Sequence, residues 1–317
     1  MQISRRTLLL GAIAASVAPS VALAGLTTQG GLAFGSSWRV TSDASVDPKR
    51  VRLLVETIIA DVDAQMSPYR AGSILSQFNV ARTTDWLTVP AALSAVTREA
   101  LHVAEVTDGW FDPTVGPTVS RFGFGPITGG WGHYTDITTT VTALRKSTPD
   151  LTLDLCGIAK GHALDRIAEA LKAAGIRSAL IEVGGEVRTL GNHPDGRPWA
   201  IGIADPTGPG VWQIVAPADL ALATSGPAVN GLAAPVATSH IIDPRRGKPA
   251  SSALLSVSVL ANTAMRSDAL ATALSAAGPE NGINLARRLG HSALFILKGK
   301  SRPVQIMTGD FRNHVLT

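Results

Sequence analysis

The stretch 153–183, LDLCGIAKGHALDRIAEALKAAGIRSALIEV, runs from a glycine-containing loop into a helix and then a strand. The spacing predicts the helix over 158–174, closed by Gly175, and the strand over 178–183. Toward the N-terminus, Val51, Leu54, Val55, Ile58, Ile59 and Val62 fall on one helical face over 47–67, with Asp47 as cap and Pro48 at the first helical position. A further helix is expected over 90–107, stopping before Gly109, and another over 264–277, closed by Gly278. Strands are expected over 199–204, 254–260, 292–298 and 304–307. Helices and strands mix without a regular βαβ rhythm, so the expected class is α+β, with mixed or antiparallel sheets and packed helices. No repeat, low-complexity linker or composition break divides 25–317, which is read as one domain.

With 45% hydrophobic and 16% charged residues over 317 positions, the chain has the apolar material for a large core and too little charge for disorder. The formal charge of +4 is spread along the chain with no basic block, which argues against a nucleic-acid partner. A single cysteine, Cys156, excludes an intramolecular disulfide, a cysteine zinc cage and a CxxC redox centre.

Residues 1–24 carry Arg5-Arg6, an apolar run over 8–18 and Ala22-Leu23-Ala24, the layout of a cleaved export signal. The paired arginines resemble a twin-arginine signal, which exports folded cargo. The run is too short to remain as a transmembrane anchor, and cleavage after Ala24 leaves a periplasmic protein. An ordinary signal with two chance arginines is the alternative.

The chain has no GxGxxG opening a helix, no GxxxxGK[ST], no HExxH and no GxSxG. It has instead a series of polar, glycine-punctuated segments: FGSSW at 34–38, MSPYRAGS at 66–73, LSQFN at 75–79, DGWFDPTVGP at 108–117, LDLCGIAKG at 153–161, VGGE at 183–186, ATSG at 223–226, SHIIDP at 239–244 and SDALAT at 267–272. In this order they resemble the ApbE family, flavin transferases that move FMN from FAD onto a threonine of another protein. The departures are Phe34-Gly35-Ser36, where the family more often has Met-Gly-Thr, and Arg246, where threonine is common.

Asp268 and Thr272 lie four apart on an expected helix, so both oxygens leave the same face, and hard oxygen ligands suit Mg²⁺. Alone, Asp268 reads as a carboxylate favoured by the helix dipole and Thr272 as a core residue. The resemblance turns the pair into metal ligands and adds the backbone carbonyl of Gly157. Lys160 begins a helix after a glycine turn, where its ammonium and the local N–H groups could face a pyrophosphate; the alternative is a solvated surface lysine. Asp154 resembles the position that contacts the adenosine part of FAD, or else it bonds nearby loop amides. Phe34, Tyr69, Ser73, Trp110, Phe111, Asp112 and Ile242 fall at positions the resemblance assigns to the flavin nucleotide, although Trp110 and Phe111 equally suit a core. His240 is the candidate base for the acceptor hydroxyl, because imidazole titrates near neutral pH and Ser239 and Asp243 could orient it; the alternative is a structural or phosphate-contact role.

The resemblance implies Mg²⁺-dependent transfer with release of AMP, FAD as substrate in a cleft, and acceptor flavoprotein subunits of respiratory or extracytoplasmic redox complexes as partners. A metal-dependent FAD pyrophosphatase would use nearly the same residues, whereas a non-catalytic flavin-binding protein, the second alternative, would have no need for the paired Asp268 and Thr272.

Overall fold

The computed structural model describes residues 25–226 and 239–316, and the signal read at 1–24 lies outside them. An eight-stranded sheet organises the chain: β1 (Leu26–Ala33), β2 (Ser36–Asp43), β3 (Ala179–Val183), β4 (Glu186–Leu190), β5 (Ala221–Ser225), β6 (Leu254–Ala261), β7 (Ser292–Leu297) and β8 (Val304–Thr308). The strands lie side by side in chain order, and every neighbouring pair is antiparallel. It is an up-and-down sheet with helical segments inserted between strands, which fits the α+β expectation and selects the antiparallel form.

The expected helices form with their signals in place. Helix α1 (Pro48–Met66) is capped by Asp47, whose side chain accepts Lys49 N–H, and it buries Val51, Val55, Ile58, Val62 and Met66. After the short α2 (Ile74–Val80) come α3 (Ala91–Val106), α4 (Gly116–Arg121) and α5 (Ala159–Ala173). Helix α6 (Ala264–Leu289) is broken at Gly278 (φ 76°, ψ −175°), as expected, but the chain then resumes a second helical segment from Pro279 and ends at Gly290 in the left-handed region.

The sheet is covered on both faces, and its central strands alternate between two cores. Val257, Val259, Ala293 and Phe295 join the larger cluster under the helices. Leu260, Leu294 and Ile296 join a smaller one with Ile201, Ile203, Val215 and Phe311, from the hairpin Ile201–Ala204/Val211–Val215 and the C-terminal turn. Two-faced burial explains why β7 reads as a continuous apolar run after Ser292 and why even Ser256 and Ser258 of β6 are buried. No helix among the described residues is long and apolar enough to cross a membrane.

Four strands of the main sheet, β1, β2, β4 and β5, escaped sequence reading. The β1–β2 hairpin turns on Phe34 (φ 50°) and Gly35 (φ 75°), a two-residue turn with both central residues at positive φ. Gly31 in β1 lies on the Trp38 indole, where a Cβ would stand 2.6 Å from Nε1. A strand that needs glycine for that contact loses the alternation that marks strands.

The packing that positions the site is the crossing of α5 and α6. A Cβ on Gly161 would stand 2.2 Å from the Ala264 carbonyl oxygen, so only glycine permits this approach. The Asp165 carboxylate, also on α5, accepts the N–H groups of Ala264 (2.8 Å) and Met265 (2.9 Å) and is paired with Arg188 of β4. An exposed helical glycine gains stability on replacement by alanine. Gly161→Ala should instead destabilise by about 1–3 kcal/mol through overpacking, read as a lower urea midpoint at constant m-value; an unchanged or raised midpoint would show that the helices do not depend on this contact.

Candidate active site

The strand registers bring the Phe34–Gly35 tip, the Gly184–Gly185 tip between β3 and β4, and the end of β5 to one end of the sheet. Gly184 N–H donates to the Ser37 carbonyl (2.9 Å), tying the two tips together. Both tip glycines have positive φ (63° and 100°), so the chain reverses in two residues and Glu186 re-enters the sheet directly.

Glu186 is buried and takes the ammonium of Lys160, from the first turn of α5, at short range. Its second oxygen, Oε2, is buried with no hydrogen-bond partner. Gly184 rests on the Lys160 stem, where a Cβ would stand 3.1 Å from Cδ. From the other helix, Asp268 Oδ2 accepts Gly161 N–H (3.1 Å). Four residues on, the Thr272 hydroxyl packs on Gly157, 3.1 Å from where a Cβ would stand, and the Phe111 ring flanks the same glycine. The expected metal set of Gly157, Asp268 and Thr272 therefore meets at the α5–α6 crossing, one helical turn from Lys160.

Burial raises the affinity of Asp268 for a proton, with Lys160 and Gly161 N–H acting in the opposite direction. Glu186 is raised in the same way by burial, again against the pull of Lys160. Burial opposes the Lys160 ammonium, yet Glu186 and Asp268 together hold its pKa above that of a free lysine. Asp154 is also raised by burial. Solvent nevertheless reaches 27% of the Lys160 side chain, and Cys156 is exposed. These groups are hemmed in by protein and still reached by solvent.

Asp154 uses Oδ1 to accept Cys156 N–H (2.9 Å), the loop-amide role expected as its alternative, and its own N–H donates to the Pro113 carbonyl (2.7 Å). Tyr69 is 69% exposed and donates to the Phe124 carbonyl (3.0 Å); desolvation, helped by Cys156 and Asp154, pushes its phenol up to about 12. His240 faces Phe124 edge-on with ring centroids 6.1 Å apart. Burial and then the charge of Lys160 lower its pKa, which keeps the imidazole neutral at neutral pH and able to accept a proton. Tyr69, Asp154, Lys160 and His240 thus lie in one neighbourhood, linked through Phe124 and Cys156.

Other expected ligand contacts turn inward. Ser73 is fully buried as the cap of α2: its Oγ donates to the Ser67 carbonyl (2.6 Å) and accepts Ser76 N–H (3.0 Å). Asp112 is a loop brace, with Oδ1 taking the N–H (2.8 Å) and hydroxyl (2.7 Å) of Thr114 and Oδ2 taking Tyr134 N–H (3.1 Å). Trp110 and Phe111 belong to the core, and the Arg245 guanidinium sits over Trp110, 4.0 Å from the ring centroid. Ile242 is a buried strand residue paired with Pro249, and Phe34 is half-buried at its turn. Ser239 and Asp243, the expected orienters of His240, are engaged in shaping the backbone on either side of it, accepting Ile241 N–H (3.1 Å) and Arg245 N–H (2.9 Å) respectively.

Three residues that sequence reasoning left without a role hold the site together. Glu186 was visible in VGGE, but nothing in that motif says that the acid is buried against Lys160. Asn79 exchanges two hydrogen bonds with the backbone of Leu153, both 2.8 Å, and so fixes the loop that leads to Asp154. Lys146, buried, donates to the carbonyls of Phe78 (3.1 Å) and Leu151 (3.0 Å). Glu186 meets Lys160 across 26 residues, Asn79 meets Leu153 across 74 and Lys146 meets Phe78 across 68, beyond any local signal.

The ApbE family model matches residues 34–295. A Vibrio cholerae FAD:protein FMN transferase is 36% identical over 273 residues, covering 80% of each chain, and one from Escherichia coli K12 is 32% identical over 297 residues, covering 86% of this chain and 84% of that one. Among solved structures, the flavin transferase ApbE from Vibrio cholerae superimposes with a TM-score of 0.83 at 31% identity, over 91% of this chain and 99% of that one. Apo flavinyl transferase ApbE from Pseudomonas stutzeri does so with a TM-score of 0.81 at 29% identity, over 91% and 96%.

The buried pair makes a stability test. Lys160→Met leaves Glu186 buried without its cation and should cost about 3–5 kcal/mol. Adding Glu186→Gln should recover part of that loss, because a neutral amide needs no counter-charge. Urea unfolding of the four members of the cycle checks this, and a double variant less stable than Lys160→Met would show that the two charges are not coupled.

Proposed function

This chain belongs to the ApbE family, a flavin-transferring enzyme that takes FAD as substrate and a protein as acceptor, and we propose that the acceptor group is a threonine hydroxyl, that Mg²⁺ is required and that AMP is released. The observation that carries this reading is the meeting of Gly157, Asp268 and Thr272 beside Lys160 at the α5–α6 crossing.

The donor set fits a hard cation. Asp268 is 3% exposed and has one oxygen on Gly161 N–H, leaving the other for a cation, and the Thr272 hydroxyl one turn on packs against Gly157, whose carbonyl would complete the oxygen set. No cluster of three or more His, Cys, Asp or Glu among the described residues offers another metal site. When bound there, Mg²⁺ would neutralise pyrophosphate charge. Lys160 supplies a fixed positive charge to the phosphate oxygens, and the cleft around Tyr69 and Asp154 receives the nucleotide. The neutral His240 imidazole accepts the threonine proton while the threonine oxygen bonds to the FMN-side phosphorus. The bond from that phosphorus to the bridging oxygen breaks, and its electron pair leaves with AMP.

Mature protein given FAD, Mg²⁺ and a periplasmic flavoprotein acceptor should release AMP and raise the acceptor mass by one FMN on a threonine. AMP and free FMN with no change in acceptor mass would favour the pyrophosphatase reading, and no AMP at all the binding-protein reading. Asp268→Ala should abolish most transfer and Thr272→Ala should do less, since water can replace a neutral hydroxyl. Mg²⁺ dependence unchanged in Asp268→Ala would overturn the ligand assignment. His240→Asn should slow transfer by about 10²–10⁴-fold with FAD affinity retained; an unchanged rate across neutral pH removes His240 as the base.

Residues 1–24 complete the reading as a twin-arginine export signal. Replacing Arg5 and Arg6 with lysine should hold precursor in the cytoplasm, and normal processing after Ala24 would point to the general secretion route.

A further inference from the structure

We propose that the hairpin tip at 244–248 is the docking site for the acceptor protein, and that it takes an acidic segment flanking the flavinylated residue. The inference rests on the transferase reading above and adds the chemistry of the partner.

The hairpin pairs Ile242 with Pro249 and Asp243 with Lys248, two residues after His240. Its turn is built from within: buried Asp243 accepts the N–H groups of Arg245 (2.9 Å) and Arg246 (3.2 Å), and Gly247 (φ 60°) donates to the Asp243 carbonyl (2.9 Å). This geometry turns three basic side chains outward. Arg245 is held flat on Trp110 and donates to the Asp108 carbonyl (2.9 Å). Arg246 is 80% exposed, and its one ion-pair partner among the described residues is the Asp243 carboxylate, at 3.6 Å. Lys248 is exposed and has no ion-pair partner among the described residues. The neighbouring surface acid, Asp108, is already paired with Arg288. Beside the tip lies Trp131, 54% exposed, with its ring edge 3.7 Å from the Cβ position of Gly247.

The tip is therefore a rigid basic projection with an exposed aromatic at its side. It is connected to the reaction site on both flanks, through the chain to His240 and through Trp110 and the adjoining Phe111 to Gly157. Because the hairpin begins two residues after His240, an acceptor that presents a hydroxyl to His240 comes within reach of this tip. Three outward cations with the only internal acid consumed by the turn favour negative charge on whatever passes, and such complementarity steers encounter and sets register. A protein segment fits better than a lipid surface, because one half-exposed tryptophan beside a narrow turn offers a contact for a side chain rather than a plane of apolar groups.

The test uses short fluorescein-labelled peptides with a central threonine flanked by aspartates, by asparagines or by lysines, and measures anisotropy with the full mature chain. The aspartate peptide should bind at least about tenfold more tightly than the asparagine peptide at about 0.02 M salt and lose most of that advantage at about 0.2 M. Arg246→Glu/Lys248→Glu should erase the preference and raise the KM for an acceptor protein with the KM for FAD unchanged. Lys172→Glu, at the far end of α5, should do neither. Equal or absent binding of the three peptides, or a double reversal with no effect, overturns the proposal. So does binding to phosphatidylglycerol vesicles that the reversal abolishes while the peptides fail to bind, which would make the tip a membrane contact. Peptide discrimination without FMN transfer to any threonine supports the docking site and counts against the transferase reading instead.

Discussion

The approach of α5 to α6 at Gly161 sets the geometry of everything around it. Without a side chain there, the Ala264 carbonyl comes close enough for Asp165 to cap the start of α6 and for Asp268 to reach back to Gly161 N–H. Once Asp268 is fixed, helix geometry alone places Thr272 one turn further along the same face, over Gly157. One missing methyl group thus links two helices, a loop and three oxygen donors.

The charge balance of the site follows from the same packing. Glu186 comes from the sheet, Lys160 from α5 and Asp268 from α6, so the ionised site carries two acids against one base. Buried charge of this kind is expensive unless it is compensated. The excess negative charge at this site favours a compensating cation, and Glu186 and Asp268 together hold Lys160 in its charged form. The same three residues carry perturbed proton affinities, as groups in functional clefts often do.

Around this site, many polar residues in the characteristic segments are scaffolding. Ser73 caps a helix, Asp112 braces a loop, Asp243 closes a turn, and Asn79 and Lys146 hold the chain leading to Asp154. Such residues explain why the segments are dense in polar and small side chains: buried loops near a ligand must satisfy their own backbone groups. A short motif therefore mixes residues that meet substrate with residues that hold the loop, and only their hydrogen-bond partners tell them apart.

The sequence by itself determined the class of fold and the family. Asp47-Pro48 and the apolar periodicity of 51–62 specify α1, and Gly175 and Gly278 mark helix ends, because caps and amphipathic faces are local properties of the chain. The order of the glycine-punctuated segments carried the functional resemblance, and the i, i+4 spacing of Asp268 and Thr272 placed both oxygens on one face. The tertiary structure decided what local spacing does not encode. It made the sheet wholly antiparallel and in chain order, turned β1 and β2 into a hairpin despite Gly30 and Gly31, and buried Glu186 against Lys160. It also sent Ser73, Asp112 and Trp110 into the framework and left Arg246 and Lys248 facing outward. The physical reason is separation along the chain: Gly161 meets Asp268 across 107 residues, and Asn79 meets Leu153 across 74, distances over which pairing is set by the packing of whole elements and not by the neighbours of either residue.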